Sequence, residues 1–168
     1  IRPIGKDDDI YSHHVIVDHD TDTEELIEVI IRSRKHYKGS GNPVFYTTTD
    51  TLTDMLLLKD KMGRRLYNGV ADLQSELRVS KIVEVPVMEN QTREDDDELT
   101  DLDLVGIIVN LKDYTVGADK GGQISMFDDF DIDYNQYKYL METRCSGCLT
   151  HPKSALVIER RQSDITEG

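Results

Sequence analysis

The residues with the clearest chemical potential lie near the carboxyl end, in the segment RCSGCLTHPK at residues 144–153. Cys145 and Cys148 are separated by two residues, and His151 follows three residues later. This pattern suggests a zinc site or a redox-active dithiol, because thiolates and imidazoles are common zinc ligands and a CxxC pair can cycle between thiol and disulfide. Cys145, Cys148 and His151 are therefore the candidate metal ligands.

The sequence around the two cysteines favours a structural role instead. A structural zinc site needs four ligands, and the other four histidines all lie within the first 36 residues. A redox-active CxxC follows a strand and opens a helix, whereas Pro152 here precedes another apolar run. We expect a bend between two strands, with small, half-buried thiols and no metal or cofactor.

A run of five consecutive acids, Glu94–Glu98, is a second candidate for cation binding. Five adjacent carboxylates repel each other in any packed element, so the run is predicted to be a solvated loop. A calcium site is the alternative, but the run lacks a glycine-turned ligand loop. The sequence leaves open whether these acids bind a cation.

Alternating aspartates at residues 129–133 resemble the start of an EF-hand loop. The sixth position of that loop is Tyr134 instead of Gly, and the twelfth is Leu140 instead of Glu, which rejects the EF-hand. The aspartates alternate with Phe130, Ile132 and Tyr134, which is a period of two. The segment is therefore predicted to be a strand with one wet, acidic face.

The composition narrows the function classes. The chain has 168 residues and a formal net charge of −13, with 38% hydrophobic and 32% charged residues. Such an acidic chain is not expected to bind nucleic acid sequence-specifically or to adhere to a membrane surface, because both need Lys and Arg. The amino end lacks a start Met and a signal segment, so we expect the chain to begin inside a longer gene product.

Helical and strand patterns together predict an α+β fold. Residues 20–38 have acids first, bases last and apolar residues at helical spacing, which predicts the clearest helix. Further helices are predicted from Thr49 or Asp50 to Gly63 and within residues 69–79, and strands within residues 43–48, 80–90 and 102–111. No nucleophile elbow, phosphate loop, dinucleotide fingerprint or HExxH is present, so we do not expect an enzyme.

Three stretches resemble the tailed-bacteriophage major capsid proteins in order and separation. They are GNPVFYTTTDTLTDMLLLKDKMGRRLY after the first helix, LRVSKIVEVPVM, and the closing segment FDIDYNQYKYLMETRCSGCLTHPKSALVIE. The resemblance implies the Hong Kong phage capsid fold, which encapsulin shells share. It implies an axial domain, a mixed sheet flanked by helices, and a peripheral domain with a long spine helix on a long antiparallel sheet.

The resemblance also implies a domain division and a function. Residues 1–40 and 128–168 would form the peripheral domain and residues 41–127 the axial domain, in a core fragment lacking the family's amino-terminal arm and extended loop. The expected function is a structural shell subunit that self-assembles into pentamers and hexamers of an icosahedral head enclosing double-stranded DNA. Implied partners are copies of itself, a scaffold, a portal and a maturation protease, with assembly in the bacterial cytoplasm and localisation in the virion.

Alternatives to the phage head remain open at this point. One is an encapsulin-like nanocompartment shell, and another is a small zinc-binding module that uses the CxxC. Some capsid relatives also join subunits by an isopeptide bond between Lys and Asn, with Glu as the base. Asn135 and Glu142 fall at the matching positions of the closing segment. The resemblance thus makes them candidate cross-link residues, in a site assembled between subunits.

Overall fold

A six-stranded mixed sheet forms the body of the molecule in a computed structural model that describes residues 4–6, 8–94, 101–118 and 124–163. The helices are α1 (Thr23–Ser33), α2 (Thr49–Leu57) and α3 (Val70–Leu77). The strands are β1 (Ser12–Val17), β2 (Val44–Thr47), β3 (Lys81–Glu84), β4 (Thr92–Glu94), β5 (Asp101–Val109), β6 (Tyr114–Ala118), β7 (Ser125–Asp131), β8 (Gln136–Glu142), β9 (Cys145–Leu149) and β10 (Ala155–Arg161).

The order of strands in the main sheet is β1-β10-β5-β2-β3, and β4 pairs with the beginning of β5. The pairs β1–β10 and β2–β3 are parallel, whereas β10–β5 and β5–β2 are antiparallel. Two further pairs, β6–β9 and β7–β8, are antiparallel and lie outside this sheet. The predicted α+β fold with a mixed sheet and few helices is confirmed.

The central strand β5 is the apolar run that the sequence predicted to be buried on both faces. Leu102, Ile108 and Val109 are almost fully buried, and strands lie on either side of β5. Gly106 lies where the ring of Phe45 crosses the strand, since a Cβ at this glycine would come within 2.6 Å of that ring. Close packing of this kind favours glycine inside a strand.

One hydrophobic core joins the three helices to the sheet. The amphipathic pattern of each helix turns its apolar side chains towards strands β2, β5 and β10, where they leave water together. The largest fully buried side chains of this core are Leu26, Ile30, Phe45, Met55, Leu73, Leu77, Ile108, Leu156 and Ile158.

The first two helices are shorter than predicted. The helix α1 ends at Ser33 instead of residue 38, because residues 34–36 tighten into a 3-10 turn in which the backbone N–H of Arg34 binds the Ile31 carbonyl. The Arg34 guanidinium then stacks on the ring of Tyr37, with its central carbon 4.8 Å from the ring centroid. Local hydrogen bonding therefore ends the helix at Ser33, before the basic residues at positions 34–36.

The boundaries of α2 differ from the prediction at both ends. The cap is Thr48, whose hydroxyl accepts a hydrogen bond from the Thr51 N–H at 3.2 Å, and not Thr49 or Asp50. The helix ends at Leu57 instead of Gly63, because the Asp60 carboxylate accepts the backbone N–H groups of the residues at 62 and 64 and closes a separate loop. Gly63 belongs to that loop and has a positive φ of 80°, which glycine adopts without strain.

Strands from all three predicted domain ranges contribute to the main sheet. The strand β1 comes from residues 1–40, β2, β3 and β5 come from residues 41–127, and β10 comes from residues 128–168. The proposed division at residues 40 and 127 therefore stays a prediction.

A buried carboxylate links three strands of the sheet. Glu159 on β10 is 2% exposed and lies 2.9 Å from Nδ1 of His14 on β1. Arg93 on β4 donates two hydrogen bonds to the same carboxylate, at 3.0 and 2.9 Å. The guanidinium of Arg93 forms a two-pronged fork of N–H groups, which provides the paired donors that a buried carboxylate needs.

The hydrogen bonds outweigh burial in setting the charge of Glu159. Burial raises the pKa of this carboxyl, but the hydrogen bonds from His14 and Arg93 lower it further, so that the pKa lies below its ordinary value of 4.5. Glu159 is therefore an anion in the folded chain under neutral conditions.

Replacement of Gly106 by Ala is expected to lower the free energy of unfolding by about 1–3 kcal/mol, because the new methyl group overlaps the Phe45 ring and the Tyr46 carbonyl. Urea unfolding followed by circular dichroism measures this loss. Gly41→Ala is the matched control, since no atom lies within 4 Å of its added Cβ, and its change should stay within about 0.5 kcal/mol. Equal stability of the two variants would contradict the packing described for β5.

Replacement of Glu159 by Gln is expected to cost roughly 2–4 kcal/mol of stability near pH 7, because the buried Arg93 fork loses its anion. The folded-state pKa of Glu159 is depressed, so its contribution is present above the unfolded pKa and is lost as pH falls through the folded one. Below pH 4.5 the wild-type chain should therefore lose stability more steeply than the variant. Urea unfolding at a series of pH values tests this.

Glu28→Gln serves as the control for that series. Its carboxylate forms an exposed ion pair with Arg32, so its loss should change stability by less than about 1 kcal/mol. A variant at position 159 that behaved like this control would show that the buried fork does not stabilise the fold.

Candidate functional site

Strands β7 and β8 form a two-stranded hairpin, here called the arm (residues 125–142), outside the main sheet. Its register runs from Ser125 opposite Glu142 to Asp131 opposite Gln136. Residues 132–135 form the turn at the tip, where Asn135 has a positive φ of 51°. The sequence predicted a strand continuing to residue 134, but the chain reverses three residues earlier because asparagine tolerates the left-handed conformation that this turn needs.

One face of the arm is apolar and exposed. Residues opposite each other in an antiparallel pair share a face, and alternate residues of a strand do too, so the register places five apolar side chains together. The apolar members of this face are Met126, Phe130, Tyr137, Tyr139 and Met141, each between 41% and 68% exposed, and Asp128, opposite Tyr139, is its one acid. The ring centroids of Phe130 and Tyr137 lie 5.0 Å apart, and those of Tyr137 and Tyr139 lie 6.5 Å apart.

The opposite face of the arm is acidic. Asp129 and Asp131 on β7 share it with Glu142 on β8, and Lys138 forms an ion pair with Asp131. The exposed pair Phe127 and Leu140 lies on the same face. The alternation of aspartates with apolar residues that the sequence showed is therefore the alternation of two faces. The apolar partners of those aspartates, however, are not buried in a core.

A two-stranded hairpin with an uncovered apolar face is a binding surface and not a catalytic pocket. Isolated hairpins are marginally stable in water, and gain stability when a further layer covers their apolar side. Exposed apolar patches of this kind mark protein interaction sites. The arrangement is thus suited to contact with another protein.

Strands β6 and β9 form the root of the arm, and Asp113 fastens this root to the body. The Asp113 side chain is buried and accepts hydrogen bonds from the backbone N–H of Ser40, at 2.7 Å, and from the Ser40 hydroxyl. Its backbone carbonyl accepts from the N–H and the hydroxyl of Thr150, which follows β9. One residue therefore joins both strands of the root to the loop after α1.

The phenol of Tyr37 lies beside the hydrogen bonds between Asp113 and Ser40. Its hydroxyl donates a hydrogen bond to the Ser40 carbonyl at 2.8 Å. Burial and the neighbouring Asp113 carboxylate raise the pKa of Tyr37 to about 12. Gly39 allows Asp113 and Tyr37 to pack closely here, because a Cβ at this position would come within 2.6 Å of both the Asp113 carboxylate and the Tyr37 hydroxyl.

The structure separates the two candidate cross-link residues along the arm. Asn135 lies at the tip and Glu142 at the far end of β8, where it forms an ion pair with Arg144 at 3.0 Å. Seven residues of strand separate them by roughly 20 Å. They cannot meet within one chain, and a role in cross-linking stays a prediction that requires residues from different subunits.

The predicted bend at the CxxC is wrong. Cys145 and Cys148 lie within strand β9, and both thiols are free and exposed instead of half-buried. The bend comes later, at residues 151–153, where Lys153 has a positive φ of 54°. Strand residues three apart point to opposite faces, so the two thiols do not converge with His151 on one ion. Within the described residues no three metal-ligating side chains form a cluster.

The acidic run of the sequence lies mostly outside the described residues. Glu94 ends strand β4, and residues 95–98 are not among those that the structure describes. Sequence reasoning missed the contact of Glu159 with His14 and Arg93. The signal was a single carboxylate inside the apolar run SALVIER, because a charge within a buried strand requires partners.

Replacement of Asp113 by Asn is expected to lower the pKa of Tyr37 below 12, because the carboxylate that opposes phenolate formation has lost its charge. The pKa should stay above its ordinary value, since burial remains. The same change should lower stability by about 1–3 kcal/mol through weakened hydrogen bonds to Ser40. Ultraviolet titration, with Tyr37→Phe to identify the signal, measures the first effect. An unchanged pKa of Tyr37 in the variant would contradict the close contact of Tyr37 with the Asp113 carboxylate.

The comparison with protein families gives one match. The model of the family described as "Phage capsid family" matches residues 4–159. No curated protein matches this chain. Among the described residues, none of the helices has the length and apolar character that a membrane crossing requires.

Solved structures of two particles share the fold. A virus-like particle from Pyrococcus furiosus aligns with a TM-score of 0.53 at 13% identity, over 92% of this chain and 58% of that one. The capsid of an empty GTA particle aligns with a TM-score of 0.54 at 10% identity, over 88% of this chain and 50% of that one. The chain thus spans between half and three fifths of the length of these neighbours. With the family model matching nearly its whole length, this chain belongs to the phage capsid family.

Proposed function

We propose that this chain is a shell subunit of a tailed-phage or prophage capsid, which assembles into pentamers and hexamers of an icosahedral head enclosing double-stranded DNA. Family membership over residues 4–159 supports a structural, non-enzymatic shell protein. The shared fold of two particle subunits supports the same role. Head assembly in a bacterial cytoplasm, with a scaffold, a portal and a maturation protease, is part of this proposal.

The observation that carries the proposal is the uncovered apolar face of the arm. Five large apolar side chains remain in water in the single chain, and burial of apolar surface stabilises association by about 25 cal/mol per Å². A subunit that packs this face against further copies gains the stability that the isolated hairpin lacks. The acidic net charge of −13 suits the wall of a DNA-filled chamber, because it repels the phosphate backbone.

Cross-linking between subunits is an optional part of this function. The exposed position of Asn135 at the tip of the arm suits a residue that must reach a neighbouring copy. Glu142 would act as the base from a different copy, because the two lie far apart in one chain. The required Lys would come from a further chain segment or subunit.

In this proposal the two domains are the body, which has one sheet and core, and the arm that lies outside them. The boundary that the packing favours lies at the root of the arm, since β1, β2, β3, β5 and β10 share one sheet and core. The body would then surround the capsomer centre as the axial domain, and the arm would belong to the peripheral domain. The boundaries at residues 40 and 127 are the alternative division.

A shell around cargo enzymes is the second candidate. The fold is shared with a virus-like particle as well as with a GTA capsid, which supports a closed shell without supporting one content over another. A gene for a cargo enzyme beside this one would support the compartment, whereas genes for a portal and a DNA-packaging motor would support the phage head.

Expression of the gene product that contains this chain is expected to yield capsomers or closed particles, visible by electron microscopy and by sedimentation. A strictly monomeric product under all conditions would contradict a shell function.

The double variant Met126→Ser with Met141→Ser is expected to abolish or strongly reduce particles, because it makes the root end of the apolar face polar. Its monomer should keep its stability, since both side chains are more than half exposed. Met62→Ser is the matched control: this methionine is 80% exposed on a loop of the body, so its loss should leave particle yield unchanged. Equal yields from both variants would show that the apolar face does not mediate assembly.

A further inference from the structure

The carboxyl end of α1 and the edge strand β1 enclose a groove of about 230 Å³. Its lining combines basic groups, His13 from β1 and Arg32, Lys35 and His36 from the end of the helix, with the apolar Val15 and Val29. The rings of His13 and His36 face each other with centroids 4.3 Å apart. A cluster of basic groups at one groove is unexpected on a chain whose net charge is −13, and general solubility does not explain it.

Helix electrostatics explains only part of this cluster. Basic residues are favourable in the last turn of a helix, which accounts for Arg32 and Lys35. It does not account for His13 on a neighbouring strand, or for Lys153, which lies close enough to His13 to affect its pKa. Burial lowers the pKa of His13, and His36 and Lys153 lower it further, while Asp9 opposes them. Arg32 is already paired with Glu28, so Lys35 in the groove and Lys153 beside it are the cations that could attract an anionic partner.

The groove runs beside an open sheet edge. The strand β1 pairs with β10 on one side and is the last strand of the main sheet on the other, within the described residues. Open edges are sites where an extended segment of another chain adds as a further strand. An incoming strand at this edge would lie directly over the basic groove.

Strand β7 of the arm has the complementary features. It pairs with β8 alone among the described residues, so its other edge is open as well. Its seven residues match the six of β1 in length. Its alternation places Asp129 and Asp131 on one face, together with Phe127, and Met126 and Phe130 on the other, together with Asp128.

The two faces of β7 match the two sides of β1. On β1, His13 lies on the groove side, and alternation places Ile16, which is 38% exposed, on the other side. If β7 of a second copy continues the sheet beyond β1, its acidic face meets the basic groove. Its apolar face then lies beside Ile16. Charge and hydrophobicity are both complementary in this arrangement.

Other open strands fit the groove less well. The strand β3, at the opposite edge of the sheet, reads KIVE and has one charge of each sign. The strand β8 reads QYKYLME and also has one of each sign. Only β7, among the open strands of the described residues, combines an excess of carboxylates with an open edge.

We propose that β7 of one copy adds to the open edge of β1 of the next copy, with Asp129 facing the basic groove near Lys35 and His36. This pairing rests on the proposed shell function and names the surfaces that join neighbouring subunits. The two surfaces lie on different parts of the chain, so the contact is heterologous. A heterologous contact forms a closed ring when its rotation closes, which is the geometry that a capsomer requires.

Charge reversal at each surface tests the pairing in the full chain. Lys35→Glu and Asp129→Lys should each lower the self-association constant by at least about tenfold, because either change places like charges against each other. Sedimentation velocity at low and high salt measures the constant, and the wild-type association should weaken as salt rises. Circular dichroism should show that both variants keep the fold, since both positions are exposed.

The decisive measurement is the mixture of the two variants. Each variant associates weakly with itself, but each presents a surface complementary to the other, so the mixture should associate with near wild-type affinity. The double variant Lys35→Glu with Asp129→Lys should likewise recover self-association. Lys81→Glu, on the opposite sheet edge, and Asp54→Lys, on the exposed side of α2, are the matched controls, and both should associate more strongly than the variants at positions 35 and 129.

The outcomes separate this pairing from the shell function. A wild-type chain that never associates contradicts the shell function and the pairing with it. A wild-type chain that associates, while Lys35→Glu and Asp129→Lys associate equally well or fail to recover on mixing, overturns the pairing alone. In that case the subunits meet through other surfaces.

Discussion

The antiparallel pairing of β5 with β10 is the constraint on which the rest of the molecule depends. The paired halves of both strands, residues 155–158 and 104–109, are apolar and lie at the centre of the main sheet, so their stability requires neighbours on both edges and cover on their faces. Strands β1 and β2 provide the edges, and the three helices cover one face. Glu159, at the irregular point of this pairing, is tolerated because His14 and Arg93 satisfy it.

The arm differs from this body in that its apolar side chains are exposed to solvent. In the body the helices cover the apolar side of the sheet, whereas the arm projects beyond their reach and exposes its apolar face. Asp113 holds the root of the arm to the body through backbone and side-chain hydrogen bonds. The molecule thus combines a self-sufficient core with an attached element whose burial depends on another molecule, which is the organisation expected of a shell subunit.

Local sequence patterns predicted the elements whose stability is local. The apolar spacing of α1 and the continuous apolar run of β5 were sufficient, because amphipathicity and burial determine both. The exact helix ends were not predictable, since they depend on single hydrogen bonds such as the one from the Thr51 N–H to Thr48. Long-range features were also inaccessible: the contact of Arg93 with Glu159 and the strand position of Cys145 arise from pairing between distant segments.

The position of β10 has a consequence for how the protein is made. This strand is synthesised last of those in the main sheet, yet it lies between β1 and β5, and Ser12 pairs with Ala155 across most of the sequence. Contacts so distant along the chain form slowly. A nascent polypeptide on the ribosome cannot complete its sheet until residue 161 has emerged from the exit tunnel. A chain whose synthesis stopped before this strand would leave β1 and β5 without the neighbour that joins them.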